Sequence, residues 1–327
     1  MSVRRWAVWA GWLVSLTWVA MPVSGQAVDV HAPMRAAMAW LATPWSDAQE
    51  KALQAHSPPR DRDAILRLPG STRTYRRAQL ASTIPDWWPQ DHPAMPTIVA
   101  RGRGKGLPCA ECHGPGGKGI AHTATLAGLP AGYIVEQLQA FRDGSRVNDE
   151  MHFEASHVSV ADVREAAAYF SGLRLTSRRV HVVQVARVPK THVESWMLVR
   201  TRGGGTQAIG DRVIELPLNE EHVRLGDERA RFVAYVPPGS VARGRLLATS
   251  GAGKVAACAS CHGADLRGVA NIPPLAGRSP TYITRQLVQL ALGNRQGVAN
   301  QPMQHEVSRL SLRDMISVAA YAASLKP

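Results

Sequence analysis

Apolar and polar positions alternate most clearly in two stretches of this chain that lie 149 residues apart. Ala131 to Phe141 and Pro280 to Leu292 each repeat apolar side chains at three- and four-residue intervals, which predicts an amphipathic helix in each. Ser159-x-x-Asp162 and Ser311-x-x-Asp314 open a second pair of helices. A serine followed by an acid three residues on is close to the capping box that satisfies the free N–H groups of a first turn. Both helices run through Ala-rich positions to an aromatic, Tyr169 or Tyr321. The signal between them is different. Val180 to Val188, Trp196 to Arg200, Val213 to Leu216 and Phe232 to Val236 alternate or concentrate β-formers, punctuated by Gly203-Gly204-Gly205 and Pro237-Pro238-Gly239. Residues 178–242 therefore read as a β-rich inserted segment and not as a flexible linker. Residues 28–96 form an extension rich in Trp, Pro and Arg, with a short helix expected near Trp45 to His56. Its Pro85-Asp86-Trp87-Trp88-Pro89 stretch is expected to pack on the domain that follows, since buried aromatics are commoner than an exposed aromatic docking surface.

The two helical stretches belong to an internal repeat. At the same offset Gly114 falls on Gly263, Leu126-Ala127-Gly128 on Leu275-Ala276-Gly277, Tyr133-Ile134 on Tyr282-Ile283, Gln137-Leu138 on Gln286-Leu287, and Gly144 with Arg146 on Gly293 with Arg295. After a three-residue shift Met151 meets Met303, Glu154 meets Glu306, and Ala167-Ala168-Tyr169 meets Ala319-Ala320-Tyr321. Most of these pairs are expected to be core contacts of helical period. The domain organisation that follows is residues 97–177 and 243–327 as two copies of one unit.

Each copy opens on the same chemistry. Cys109-Ala110-Glu111-Cys112-His113 and Cys258-Ala259-Ser260-Cys261-His262 hold every cysteine of the chain in C-x-x-C-H spacing. Two thiols so spaced can add to the two vinyl groups of one porphyrin, and the adjacent imidazole then falls under the iron, so two covalent haem c groups are expected. A four-thiolate zinc site, a redox dithiol or a pair of structural disulfides would not place a histidine at the same position twice. Pro273-Pro274 follows His262 at the distance where a backbone carbonyl accepts from the proximal imidazole, whereas Ala124-Thr125 stands there in the first copy. Inequivalent haems are predicted.

Met151 and Met303 lie 38 and 41 residues after His113 and His262, on what reads as a loop before the last helix of each copy. A methionine is usually core filler. Recurrence at one place in both copies makes each the expected sixth ligand, a soft neutral donor that favours ferrous iron and raises the reduction potential. His152, His157 and His305 do not recur and read as surface imidazoles.

Composition changes the picture in two ways. Arg4 and Arg5, the apolar run Trp6 to Met21, and Pro22 to Ala27 read as a secretory leader over residues 1–27, either cleaved or retained as an N-terminal anchor. Export to the periplasm agrees with covalent haem attachment. The net charge is +13, of which haem propionates would remove up to about four units. A basic exported carrier predicts acidic docking surfaces on redox partner proteins, or association with anionic membrane or a membrane oxidoreductase complex, and not nucleic acid.

The repeated Cys-x-x-Cys-His-Gly, Leu-Ala-Gly, Tyr-Ile-x-x-Gln-Leu and Ala-Ala-Tyr elements resemble the tandem diheme class I cytochrome c family of the cytochrome c-four type. The resemblance covers about residues 97–173 and 243–327, and it implies a mainly α fold of two class I cytochrome c domains with the β-rich segment between them. It implies single-electron transfer between a respiratory or dehydrogenase donor and a terminal acceptor in the bacterial periplasm. It assigns His113 and His262 as proximal ligands, Met151 and Met303 as distal ligands, and the four cysteines as thioether donors. Besides a structural or sensor haem subunit of a larger complex with no turnover, the rival reading is a diheme peroxidase, which needs one iron with a releasable sixth site and an acid or base over it. A matched methionine in both copies argues against it, and Glu154 and Glu306 read as loop or helix-entry structure.

Overall fold

The computed structural model describes residue 29 and residues 31–41, 61–119, 123–194 and 197–327; the leader and the helix expected near Trp45 to His56 lie outside these residues. No helix among the described residues is long and apolar enough to cross a membrane.

The first copy is built from α2 (Thr97–Ala100), α3 (Cys109–His113), α4 (Ala131–Arg142), α5 (Asp149–His157) and α6 (Val160–Gly172), preceded in the chain by α1 (Ala32–Leu41) and a two-stranded ribbon, β1 (Ile65–Leu66) and β2 (Tyr75–Arg76). The last helix begins where the sequence placed it: Ser159 caps α6 by accepting from the Asp162 N–H at 3.1 Å. The packed helices α4 and α6 enclose a core of Ile98, Val99, Ile134, Ala166, Phe170 and Leu173.

In the second copy the elements recur as α8 (Ser240–Ser250), α9 (Cys258–His262), α10 (Pro280–Ala291), α11 (Gln301–Val307) and α12 (Leu312–Ser324). Here the cap is a full box, with Ser311 and Asp314 each accepting the other's backbone N–H. The first helix of this copy is much longer than its one-turn counterpart α2, and it lies very close to α12. Gly244 makes that approach possible, since a Cβ there would run into the Ser317 carbonyl.

The inserted segment holds β3 (Val180–Gln184), β4 (Arg187–Pro189), β5 (Thr191–Glu194), β6 (Met197–Arg200), β7 (Thr206–Ala208), β8 (Ile214–Pro217), α7 (Glu220–Arg224) and β9 (Phe232–Val236). A three-stranded sheet runs β3-β9-β8, with β3 parallel to β9 and β8 antiparallel to it, and β4-β7 and β5-β6 form two further antiparallel pairs. The apolar run Val180 to Val188 is thus split, because the chain leaves the sheet between β3 and β4. Val180, Phe232, Ala234 and Val236 merge with Leu247, Ile283 and Ile316 into the second copy's core. Met34, Ala37 and Leu41 of α1 join the same core. Burying such side chains contributes about 1.5–3 kcal/mol each, which fixes the insert to that copy.

Trp87 and Trp88 of the extension are buried, though their main partner is the insert and not the first haem domain. Trp87 is 1% exposed and donates from Nε1 to the Leu225 carbonyl at 2.6 Å, and Trp88 donates to Asp227 Oδ1 at 2.7 Å. Leu68 and Leu225 complete this small cluster.

Candidate haem centres and the junction between them

Each C-x-x-C-H motif forms one helical turn, which puts its two cysteines three residues apart on one face and brings the histidine round beside them. Pro108 precedes α3, and Gly114 ends it at a φ of 75° that only glycine takes without strain. His113 Nδ1 donates to the Ala124 carbonyl at 2.9 Å, and His262 Nδ1 donates to the Pro273 carbonyl at 2.8 Å. Each ring therefore has its orientation fixed and its unprotonated Nε2 left with a free lone pair for a metal. Burial pulls both imidazoles below their ordinary pKa, which keeps them in the neutral, metal-binding state. None of the four cysteines is tied up in a disulfide.

Met151 and Met303 sit on short helices and not on loops. Asn148 caps α5 and accepts from the Met151 N–H at 2.8 Å, so Met151 is the third helical residue. Met303 is third in α11, just after Pro302 in its first turn. Helices of two turns carry too little apolar period to be read from sequence. In the first copy Met151 lines an open pocket with Cys109, Cys112, His113, Leu138 and Ala166. In the second, Met303, Cys258 and Leu275 are each half-buried against the core. His152 and His157 are turned to the Phe141 and Phe153 carbonyls, at 2.8 and 2.7 Å, and His305 is exposed. Glu154 accepts from the Leu107 N–H at 2.8 Å and Glu306 from the Ala256 N–H at 2.7 Å, equivalent contacts that tie the loop before each motif to its methionine helix.

Between the copies lies a polar cluster that the repeat signalled but the core reading missed. Arg146 donates to Gln137 Oε1 at 2.7 Å and across the junction to Gln286 Oε1 at 2.7 Å and the Tyr282 hydroxyl at 3.2 Å. Arg295 donates to Gln286 Oε1 at 3.1 Å and across to Gln137 Oε1 at 2.9 Å and the Tyr133 hydroxyl at 3.4 Å. The two arginines also face each other in an antiparallel bridge. Arg278 adds a third guanidinium, donating to the Thr125 and Ala127 carbonyls at 2.6 and 2.9 Å. Buried polar residues recurring in both copies were the available signal, since arginine and glutamine are poor core filler.

The residues present fit two covalently attached haems. Each copy offers a thiol pair, an oriented imidazole and a methionine. Arg146, Arg278 and Arg295 are buried, none has an ion pair among the described residues, and each leaves Nε unpartnered. Buried cations demand anions, and haem propionates are such groups.

Known proteins with related sequences agree. No family model matches the chain. It is 36% identical over 78 residues to cytochrome c-554(548) of Halomonas halodenitrificans, covering 24% of this chain and 94% of that protein. The chain belongs to the cytochromes c, and it carries two such haem-binding units in tandem. A cytochrome c4 of Pseudomonas aeruginosa is 24% identical over 69% of this chain and 88% of its own length. The thiosulfate dehydrogenase electron acceptor of Thiomonas intermedia is 28% identical over 62% of this chain and 72% of its own. A 65-residue match to cytochrome c-552 of Acidithiobacillus ferridurans, at 45% identity, spans only 28% of that protein. This cytochrome carries two covalently bound haem c groups and transfers electrons.

Proposed function

We propose that this is an exported electron carrier in which His113 and Met151 ligate one iron and His262 and Met303 the other, with Cys109 and Cys112, and Cys258 and Cys261, as thioether donors. The observation that carries the reading is the matched donor set: the same four side chains, two cysteines, a histidine and a methionine, recur in both copies, each imidazole fixed by a carbonyl eleven residues on. A covalently bound haem supplies a one-electron couple. His113 and His262 would hold it through their imidazoles, and Met151 and Met303 would supply thioether donors that exclude exogenous ligands and favour the reduced state. Apolar side chains, Leu138 and Ala166 among them, line the first centre. Glu154 and Glu306 are engaged by backbone N–H groups in both copies, so neither acts as the single acid or base that a peroxidase needs.

The carrier works in the periplasm, where its basic surface suits donors and acceptors with acidic docking faces. One relative is named as the electron acceptor of a thiosulfate dehydrogenase, which supports a dehydrogenase as the class of donor. The test is spectroscopic. Oxidised holoprotein should show the far-red methionine-to-iron charge-transfer band at the intensity of two haems, and the reduced protein should not bind carbon monoxide. Rapid carbon monoxide binding at either centre, or turnover of hydrogen peroxide, would remove the reading.

A further inference from the structure

The two proximal imidazoles make the same hydrogen bond, but the loops that supply its acceptor are held in different ways. Both loops share one frame: Leu126 and Ala127 donate to the Gly117 carbonyl, and Leu275 and Ala276 donate to the equivalent Leu266 carbonyl. In the second copy the acceptor carbonyl belongs to Pro273, which is followed by Pro274 and preceded by the mutually bonded pair Val269 and Ile272. Two successive ring-locked φ angles leave that carbonyl little freedom. In the first copy Ala124 and Thr125 occupy these positions, and neither restricts φ in that way.

What holds the first loop comes from outside its own domain. Arg278, 7% exposed, reaches over from the second copy and donates from its two terminal nitrogens to the Thr125 and Ala127 carbonyls, at 2.6 and 2.9 Å. These are the peptide next to Ala124 and the one two further on. Thr125 is tied on its other side by its hydroxyl, which donates to the Lys118 carbonyl at 3.0 Å. The brace runs one way only, because the first copy has Leu129 where the second has Arg278. Placing a guanidinium there is costly: burial lowers its pKa to about 10, and no carboxylate pairs with it among the described residues. Such an arrangement persists where the hydrogen bonds it makes fix a geometry.

We propose that Arg278 is a positioning residue for the first haem centre: by holding the Thr125 and Ala127 carbonyls it fixes the Ala124 carbonyl, and through it the plane of the His113 ring, in place of the prolines that do this in the second copy. The first centre then depends on the docking of the second domain, while the second centre is self-contained. This rests on the assignment of His113 as an iron ligand made above.

The test uses the holoprotein and two readouts other than electron-transfer activity: the haem-methyl resonances of the oxidised protein, which report the planes of the axial ligands, and the separate midpoint potentials. Arg278→Met should move the methyl resonances and the potential of the first centre and leave the second unchanged. Adding Ala124→Pro and Thr125→Pro, the second copy's own solution, should restore the first centre's methyl pattern. An unchanged first centre, an equal movement of both centres, or a shift that persists after the prolines are installed would overturn the proposal. If Arg278→Met does not yield holoprotein, Arg278→Lys, which keeps the charge and a single donor, is read by the same outcomes. A native protein without imidazole ligation at the first centre would defeat the ligand assignment itself, whereas a His-ligated native protein with an indifferent variant defeats only the role of Arg278.

Discussion

Gln137 and Gln286 each accept from both Arg146 and Arg295, so one side-chain oxygen from each copy ties the two domains together. The arrangement is a pseudo-twofold crossing of repeat-equivalent residues, and it sits where apolar filler would otherwise be. Replacing Gln137 by Leu leaves one donor on each buried guanidinium without its partner. Hydrogen bonds to charged groups are worth about 1.5–3 kcal/mol each, so Gln137→Leu should cost the holoprotein roughly 3 kcal/mol in urea unfolding. The Gln137→Leu, Gln286→Leu double variant should cost less than the sum of the singles, because both act on one network. Additive costs would show that the two glutamines act separately.

Met151→Ala should lower the potential of one centre and leave the other nearly unchanged, and it should open that centre to carbon monoxide. Met303→Ala should do the same to the other centre. Loss of the soft neutral ligand removes its preference for ferrous iron and unblocks the sixth site. Unchanged potentials and no carbon monoxide binding in Met151→Ala would remove that methionine from the ligand set.

The repeat made the paired helices legible. Ala131–Arg142 and Pro280–Ala291 form almost where the apolar period placed them, and the Ser caps start the last helices at the residues they marked. The C-x-x-C-H turns and the carbonyls facing His113 and His262 followed from spacing, because each contact lies within one local loop. Long-range polar contacts did not. Arg278 reaches Thr125 from 153 residues away, and no local pattern announces such a partner. The carboxylate of Glu228 is another case: it accepts from the Gly116 N–H at 2.7 Å, just past the first haem motif, from within the insert. The methionine helices were missed for a different reason, being too short for an apolar period to develop.

The joint between the extension and the insert carries its own stability. Trp87 combines full burial with a hydrogen bond to Leu225 and an edge contact with Tyr75, whose ring centroid lies 4.7 Å away. Beside it Arg229 stacks 3.8 Å over the Trp88 ring and pairs with Asp91 at 2.6 Å. Trp87→Ala should destabilise the protein by about 3–5 kcal/mol, the usual cost of a large aromatic removed from a packed site. Limited proteolysis should then cut the extension at protease concentrations that leave the native chain intact. Equal protection of variant and native chain would show that the joint does not hold the extension down.

Acid should act on the second copy through Asp314. Its side chain is fully buried at the start of α12, where Ser311, Lys254 and Arg243 all donate to it. Burial opposes its charged form, but the hydrogen bonds from Lys254, Ser311 and Arg243 outweigh burial and hold the carboxyl down to about 2. A folded-state pKa below the unfolded value of about 3.9 contributes stability that is fully present above pH 4 and is lost as the pH falls toward 2. Asp314→Asn removes the charge at every pH. The native protein and Asp314→Asn should therefore differ most in urea midpoint near neutral pH and converge between pH 4 and 2. A difference that stays constant over that interval would show that the charge on Asp314 contributes nothing beyond its hydrogen bonds.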